Sequence, residues 1–254
     1  MAKLERAMPW LFVASLLLVW EAAAVGFHVP VFILPRPTVV AQALVTQCWP
    51  ILENSWVTLY RTMIGFAIAV VAGGMLGVAI GSSRLIYRGL YPVLIGFNSV
   101  PKVAVVPVFV IWFGTGAVPA VLTAFLVSFF PIAVNVATGL ATVEPELLDV
   151  LRSLGARKSQ ILIKIGLPRS LPYFFASLKI AITLAFVGTI ISETVAGSSG
   201  IGYLMMAATA NFDTPLVFAG LFVIAVLGIV MYAIFAVAEQ RMTFWAKRGD
   251  GLMV

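Results

Sequence analysis

One cysteine, one histidine and few charges set the first limits on this chain of 254 residues. A lone Cys48 can neither close an intramolecular disulfide nor supply a thiolate cluster, and a lone His28 removes a histidine-based metal site. No metal chemistry is expected. Charged residues make up only 10% of the chain, against about 25% in soluble domains. No Gly-x-x-x-x-Gly-Lys-Ser/Thr run is present, so the chain has no evident loop to cradle a nucleotide. If ATP drives its activity, the ATPase is another polypeptide. The serines, the acids and His28 show no spacing that assembles a nucleophile, a base and an orienting group, so neither catalysis nor a cofactor is expected. Internal repeats, low-complexity tracts and a second domain are also missing.

What is abundant is apolar surface. Hydrophobic residues reach 62% and mean hydropathy is +1.09, values of an integral membrane protein. The net charge of +6 does not indicate nucleic acid, because membrane insertion itself selects basic loops beside apolar spans. At about 1.5 Å per residue, about 20 apolar residues cross the hydrocarbon. Such runs are read at 9–27, 56–80, 90–113, 118–140, 174–195 and 216–238, predicting an all-α membrane domain of six transmembrane helices, the last without a charge. The first could be mistaken for a signal peptide, since Lys3 and Arg6 precede it and Ala22-Ala23-Ala24 follow. Glu21 between that stretch and the would-be cleavage site favours a retained helix.

Basic residues predict the orientation. With both termini in the cytoplasm, inner segments hold twelve of the sixteen: Lys3, Arg6, Arg84, Arg88, Arg152, Arg157, Lys158, Lys164, Arg169, Arg241, Lys247 and Arg248. Outer segments hold only Arg36, and Arg61, Lys102 and Lys179 fall within or at the ends of spans.

Two connections are long. The outer one, 28–55, contains Leu34-Pro35-Arg36-Pro37, which favours an extended stretch. The inner one, 141–173, carries an amphipathic pattern: Leu147, Leu148, Leu151 and Leu154 share a face, while Glu146, Asp149 and Arg152 point elsewhere. Glu144-Pro145-Glu146 suits a helix N-terminus, and Gly155 a left-handed stop. A basic turn or two from Lys158 follows, and Pro168 and Pro172 are expected to turn the chain back to the membrane. Periodicity alone leaves two uses for this loop: an interfacial helix on lipid, or a docking element for a soluble partner.

Those residues resemble the cytoplasmic "EAA" loop of ABC importer permeases, whose pattern is Glu-Ala-Ala, three residues, Gly, nine residues, Ile, one residue, Leu-Pro. Gly155, Ile165, Leu167 and Pro168 match at that spacing, while Asp149-Val150-Leu151 stands for Glu-Ala-Ala. Leu59-Tyr60-Arg61 with Gly65-Phe66, Pro101-Lys102-Val103-Ala104, Trp112-Phe113-Gly114, Phe129-Phe130-Pro131 and Gly200-Ile201-Gly202-Tyr203 are similar to permeases for taurine, alkanesulfonates, nitrate and pyrimidine precursors. The resemblance implies a type I importer (MetI-like) architecture in the cell inner membrane and a second permease copy, as a homodimer. It also implies a cytoplasmic ATPase dimer that binds the ATP, and a periplasmic or lipid-anchored substrate-binding protein that delivers a small anionic or heterocyclic solute. Glu146, Asp149, Leu151, Arg152, Gly155, Ala156, Arg157 and Lys158 would then couple to the ATPase. One departure stands out: the family's last helix often carries an acid near its inner third, where this chain has Met231-Tyr232.

Polar groups inside spans need a reason, because a mid-membrane charge costs at least about 2.5–3.5 kcal/mol. Lys102, Asn98, Asn135, Glu193 and Gly200 are the candidates for a translocation pathway or gate. Lys102 snorkels to head groups or meets an anionic substrate; the former needs residues 89–100 to lie partly along the interface before a break at Pro101. Arg61 is expected to pair with Glu53 or head groups. Glu193 is read as a solvated helix-end carboxylate or a gate group beside the flexible 197–200 turn, and Asn98 and Asn135 as pathway donors or interhelical bonds. Gly114 and Gly116 belong with the proposed outer gate. A stand-alone secondary transporter is the alternative, and would show inverted repeats and coupling-ion groups near mid-membrane.

Overall fold

The computed structural model describes the backbone of residues 2–243 and their side chains except those of residues 2–7, Pro9, Trp10, Arg84 and Pro145. The side chains of Lys3 and Arg6, and Lys247 and Arg248 entirely, lie outside the described residues. Helices follow one another without strands among the described residues: α1 (Ala2–Gly26), α2 (Pro37–Thr46), α3 (Cys48–Gly81), α4 (Arg84–Asn98), α5 (Val106–Phe113), α6 (Ala117–Ala141), α7 (Pro145–Ser153), α8 (Lys158–Ile161), α9 (Leu167–Ala196), α10 (Ile201–Ala210) and α11 (Thr214–Met242). α3, α6, α11 and the continuous Lys158–Ala196 rod are long and apolar enough to cross a membrane, and the α4–α5 pair adds a fifth span if counted as one.

The centre is a three-helix packing of α3, α6 and α9. Gly65, Ala69, Gly73, Gly77 and Gly81 repeat every four residues on α3, and a Cβ on Gly65 or Gly77 would lie 2.6 Å from atoms of α6. Small residues let the two backbones approach, which is how helices associate where lipid tails remove the hydrophobic drive. Around that seam Phe66, Ile132, Val136, Leu178, Ile182 and Phe186 form the main buried cluster. α2, α10 and α11 form a second cluster around Val40, Ile201, Leu216 and Ala219. Glu21 on α1 accepts from the Thr38 amide (3.1 Å) and hydroxyl (2.9 Å), placing a carboxylate at the positive start of α2.

Two sequence expectations change here. The predicted third span, 90–113, is not one helix: α4 and the segment Lys102–Phe113 meet at an angle of 78°. Pro101 lacks an N–H and disfavours helical backbone at Val100, so the chain restarts as a 3-10 turn, Lys102–Val105, before α5. Pro168 and Pro172, expected to turn the chain, instead lie inside the rod formed by α8, a π turn over Leu162–Gly166 and α9. The wider π turn ends at Gly166, two residues before Pro168, where a proline would otherwise interrupt the regular hydrogen-bond ladder.

One end of this bundle, where α3 and α6 finish and α4, α7 and α8 begin, gathers Arg88, Arg152, Arg157, Lys158, Lys164 and Arg169; it is called the basic end below.

Candidate functional site

At the end opposite the basic one, a buried ion pair joins α3 to α9. Arg61, 3% exposed, and Glu193, 1% exposed, meet at 3.0 Å. Glu193 also accepts from the Thr58 hydroxyl (2.7 Å) and the Gly202 amide (3.2 Å), so its charge lies at the start of α10. Arg61 donates to the Ser199 carbonyl and hydroxyl, each at 2.7 Å. Thr58 accepts from the Ile201 amide (2.8 Å), and Asn54 from the Gly200 amide (2.7 Å). Nearby, Thr62 donates to Thr189 at 2.9 Å. The Glu193 carboxylate thus accepts from α3 and from the 197–202 segment, and Arg61 divides its bonds between Glu193 and Ser199; the Arg61 Nε is left without a partner.

That geometry corrects three expectations. Arg61 does not pair with Glu53, which is exposed on the same helix; it turns into the bundle, where an uncompensated Glu193 would otherwise be buried. Glu193 is not a solvated helix-end carboxylate. The 197–200 turn is not loose: Arg61 and Asn54 hold it from α3. Gly200 has φ +104°, and a Cβ there would come within 2.2–2.4 Å of the Glu193 carboxyl group, so glycine is required for conformation and space together. Gly116, in the α5–α6 turn, donates its amide to the Ala196 carbonyl at 3.3 Å and so touches the same region.

The remaining pathway candidates separate. Lys102 donates to both the Asn98 carbonyl and its side-chain oxygen across the α4–α5 break, and its ammonium lies 5.4 Å from the Phe130 ring centre. Its charge is therefore spent on the break itself. Asn135 donates to the Pro131 carbonyl of its own helix (2.8 Å), rather than to another helix. Thus Asn98 joins Lys102, Glu193 joins Gly200, and Asn135 stands apart.

At the basic end α7 is a two-sided helix. Glu144 precedes it, Glu146 lies exposed in its first turn, and Asp149 pairs with Arg152 at 2.8 Å on the surface. Its stop is a Schellman motif: the Gly155 amide reaches the Arg152 carbonyl (3.0 Å), the Ala156 amide the Leu151 carbonyl (3.0 Å), and Gly155 has φ +80°. Arg157 then starts the next helix, its amide donating to the Gln160 side chain at 2.9 Å. The leucines do not keep the single face that the spacing predicts. Leu147, Leu148 and Leu151 are half-buried, whereas Leu154 is 77% exposed because it is the residue after the last helical turn. Val150, 55% exposed and four residues earlier, is the other outward apolar residue. The available apolar pair is Val150 with Leu154.

Sequence reasoning missed one further pair. Lys179 on α9 bonds Glu239 on α11 and lies 6.0 Å from the Tyr232 ring centre. α11 continues to Met242, beyond the predicted end of the span at 238, and so brings an acid to its basic end. α11 thus carries its acid at Glu239 rather than at Met231-Tyr232. A lysine isolated in one apolar span was the signal that an acid should lie at similar depth in another.

Comparisons with known proteins give the family and the fold. Residues 65–244 match the family model described as the binding-protein-dependent transport system inner membrane component. The formylaminopyrimidine transport permease protein ThiX of Halalkalibacterium halodurans is 30% identical, over 94% of this chain and 96% of that one. The riboflavin transport system permease protein RibX of Chloroflexus aurantiacus is 32% identical over 91% and 87%. The taurine transport system permease protein TauC of Escherichia coli is 29% identical over 91% and 87%. A chain from the MetNI methionine ABC transporter, solved in inward facing conformations, superposes with a TM-score of 0.69 at 19% identity, over 78% of this chain and 98% of that chain. Fold and sequence thus converge: the chain belongs to the family of binding-protein-dependent transport system inner membrane components and is a multi-pass ABC transporter permease.

Proposed function

We propose that this permease forms the translocation route of an importer and is driven by a separate cytoplasmic ATPase dimer that docks on α7. A second copy of the chain completes the route, and a substrate-binding protein delivers solute at the Glu193 end. The solute class is a small anionic or heterocyclic molecule, a reading supported by relatives named for formylaminopyrimidine, riboflavin and taurine. The basic end faces the cytoplasm, with both termini, in keeping with the positive-inside rule.

The observation that carries the docking assignment is α7 itself. A nine-residue helix, closed by a Schellman turn, presents Val150 and Leu154 outward at the basic end beside Asp149 and Arg152. Such an exposed apolar pair with charges at its edge suits a groove on a soluble subunit. Leu154→Asp places a charge in that contact and should reduce recovery of the ATPase with affinity-purified permease at least about tenfold, the equivalent of about 1.4 kcal/mol. Full recovery of ATPase, with unchanged substrate-stimulated hydrolysis, would overturn the assignment. Orientation has its own test. Exposed Cys48 begins α3 at the Glu193 end, and Ser159 lies exposed at the basic end. A membrane-impermeant thiol reagent added to intact cells should label Cys48, and should fail to label Ser159→Cys in a Cys48→Ser background; the reverse pattern would invert the topology.

A further inference from the structure

A cavity of about 580 Å³ opens at the basic end between the end of α3, the start of α4, the end of α6 and the α7–α8 connection. Three cations from three elements line it: Arg88 of α4, Arg152 of α7 and Lys158 of α8. No carboxylate among the described residues does. Arg152 has Asp149 as a surface partner, while Arg88 and Lys158 have no ion-pair partner among the described residues. The hydroxyl-bearing Ser82, Ser83 and Tyr87 also line it, and Leu140 and Ile161 belong to an apolar floor.

The depth of the cavity narrows the ligand. It lies where the apolar runs of α3 and α6 finish, at Gly81 and Ala141, which is the level of phospholipid head groups. Beside it α4 exposes Leu85 and Leu90, apolar surface of the kind that suits bilayer lipid. Arginine and lysine donors suit the non-bridging oxygens of a phosphate diester, and the Ser83 hydroxyl can add to them, whereas that of Ser82 donates to the Val78 carbonyl. The apolar floor suits the glycerol ester region of the same molecule. A bare inorganic anion would use the cations and leave the floor unpaired.

We propose that this cavity is a binding site for an anionic phospholipid head group, wedged between the membrane helices and the α7–α8 connection. Basic pockets between helices at the membrane face have this chemistry, and each basic residue near an anionic surface contributes about 1 kcal/mol. The site goes beyond the docking assignment and does not need it. The two fail separately, because lipid binding is read on the permease without its ATPase.

The test is native mass spectrometry of the full-length permease titrated in detergent with phosphatidylglycerol, with phosphatidylcholine of the same acyl chains, and with glycerol 3-phosphate. Phosphatidylglycerol should bind at least about tenfold more tightly than phosphatidylcholine, as the combined action of more than one cation requires. Arg88→Gln should weaken phosphatidylglycerol about fivefold, the equivalent of about 1 kcal/mol, and leave phosphatidylcholine unchanged. Lys158→Gln should act in the same direction, and serves in place of Arg88→Gln if that variant does not fold. Equal affinity for the two lipids, or unchanged affinity in folded Arg88→Gln and Lys158→Gln, would overturn the site. Glycerol 3-phosphate binding as tightly as the lipid would assign the cavity to a soluble anion instead, and displacement of phosphatidylglycerol by added ATPase subunits would assign it to the partner protein.

Discussion

The rod that ends in α9 carries charge in opposite ways at its two ends. At the far end Glu193 is buried, paired with Arg61 and hydrogen-bonded to Thr58 and Gly202. At the basic end Arg169 meets Glu144 at 3.5 Å with both side chains about half-exposed or more, and the Asp149–Arg152 pair is exposed throughout. A buried charge binds its surroundings into one arrangement, because any change of geometry leaves it unpaired in a low-dielectric interior. An exposed pair can separate and be resolvated at little cost. The same rod is therefore clamped to α3 and α10 at one end and offers movable charge at the other. A push received through α7 would reach a fixed junction rather than a loose loop.

The strongest way to break this contrast is to leave one buried charge alone. Glu193→Ala removes the partner of Arg61 and the acceptor of Thr58 and Gly202, and should cost about 3–5 kcal/mol of stability. A fall in the thermal transition of purified permease in detergent, with loss of folded protein from the membrane, is the expected reading. The double variant Arg61→Met with Glu193→Met should recover a substantial part of that loss, since apolar residues of similar size remove the desolvation penalty as well as the attraction. A single variant as stable as the parent would show that the network is not what holds the 197–202 segment.

Two glycines sharpen the comparison, because both have positive φ but only one is crowded. Gly200→Ala adds a Cβ 2.2 Å from the Glu193 carboxyl carbon, so it should displace that carboxylate in addition to straining the backbone by about 1–3 kcal/mol. Gly155 has nothing within 4 Å of an added Cβ. Gly155→Ala should therefore cost only the left-handed term of about 1–2 kcal/mol, confined to the end of α7. Melting of the purified permease should fall clearly for Gly200→Ala and little for Gly155→Ala, while ATPase recovery should fall for Gly155→Ala. Equal melting shifts would erase the distinction between a packed junction and a projecting helix end.

The sequence made the two ends legible to different depths. The amphipathic segment at 146–154 and its stop at Gly155 were readable because helix periodicity and a left-handed glycine act within a few residues. The partner of Glu193 was not, because Arg61 lies 132 residues away and no local pattern reports a contact between α3 and α9. A weaker signal was available: two opposite charges, each near the outer end of an apolar span, are expected to meet. The same reasoning would have found Lys179 with Glu239, had the last span been extended past 238. Spacing places Leu154 with Leu147, Leu148 and Leu151 because it assumes a helix that continues, whereas α7 ends at Ser153. The break at Pro101 could be read from the proline; its 78° angle could not, since it depends on how α4 and α5 pack against α6.

The smallest predicted effect probes the exposed end directly. Asp149 and Arg152 are three residues apart on α7, with side chains 73% and 57% exposed. Pairs at that spacing on a solvated helix contribute about 0.2–0.5 kcal/mol, and salt screens them. Asp149→Asn should leave the melting of the isolated permease unchanged within that range. Its effect should appear only in the complex, where docking of Val150 and Leu154 would exclude water from around Asp149 and strengthen its interactions. At low ionic strength, Asp149→Asn should weaken ATPase association by a few-fold, much less than Leu154→Asp, and added salt should abolish the difference because exposed charges are screened beyond about 10 Å at 0.1 M and about 3 Å at 1 M. A salt-independent loss as large as that of Leu154→Asp would mean that Asp149 becomes fully buried against the ATPase. The contrast between clamped and offered charge would then hold only for the permease alone.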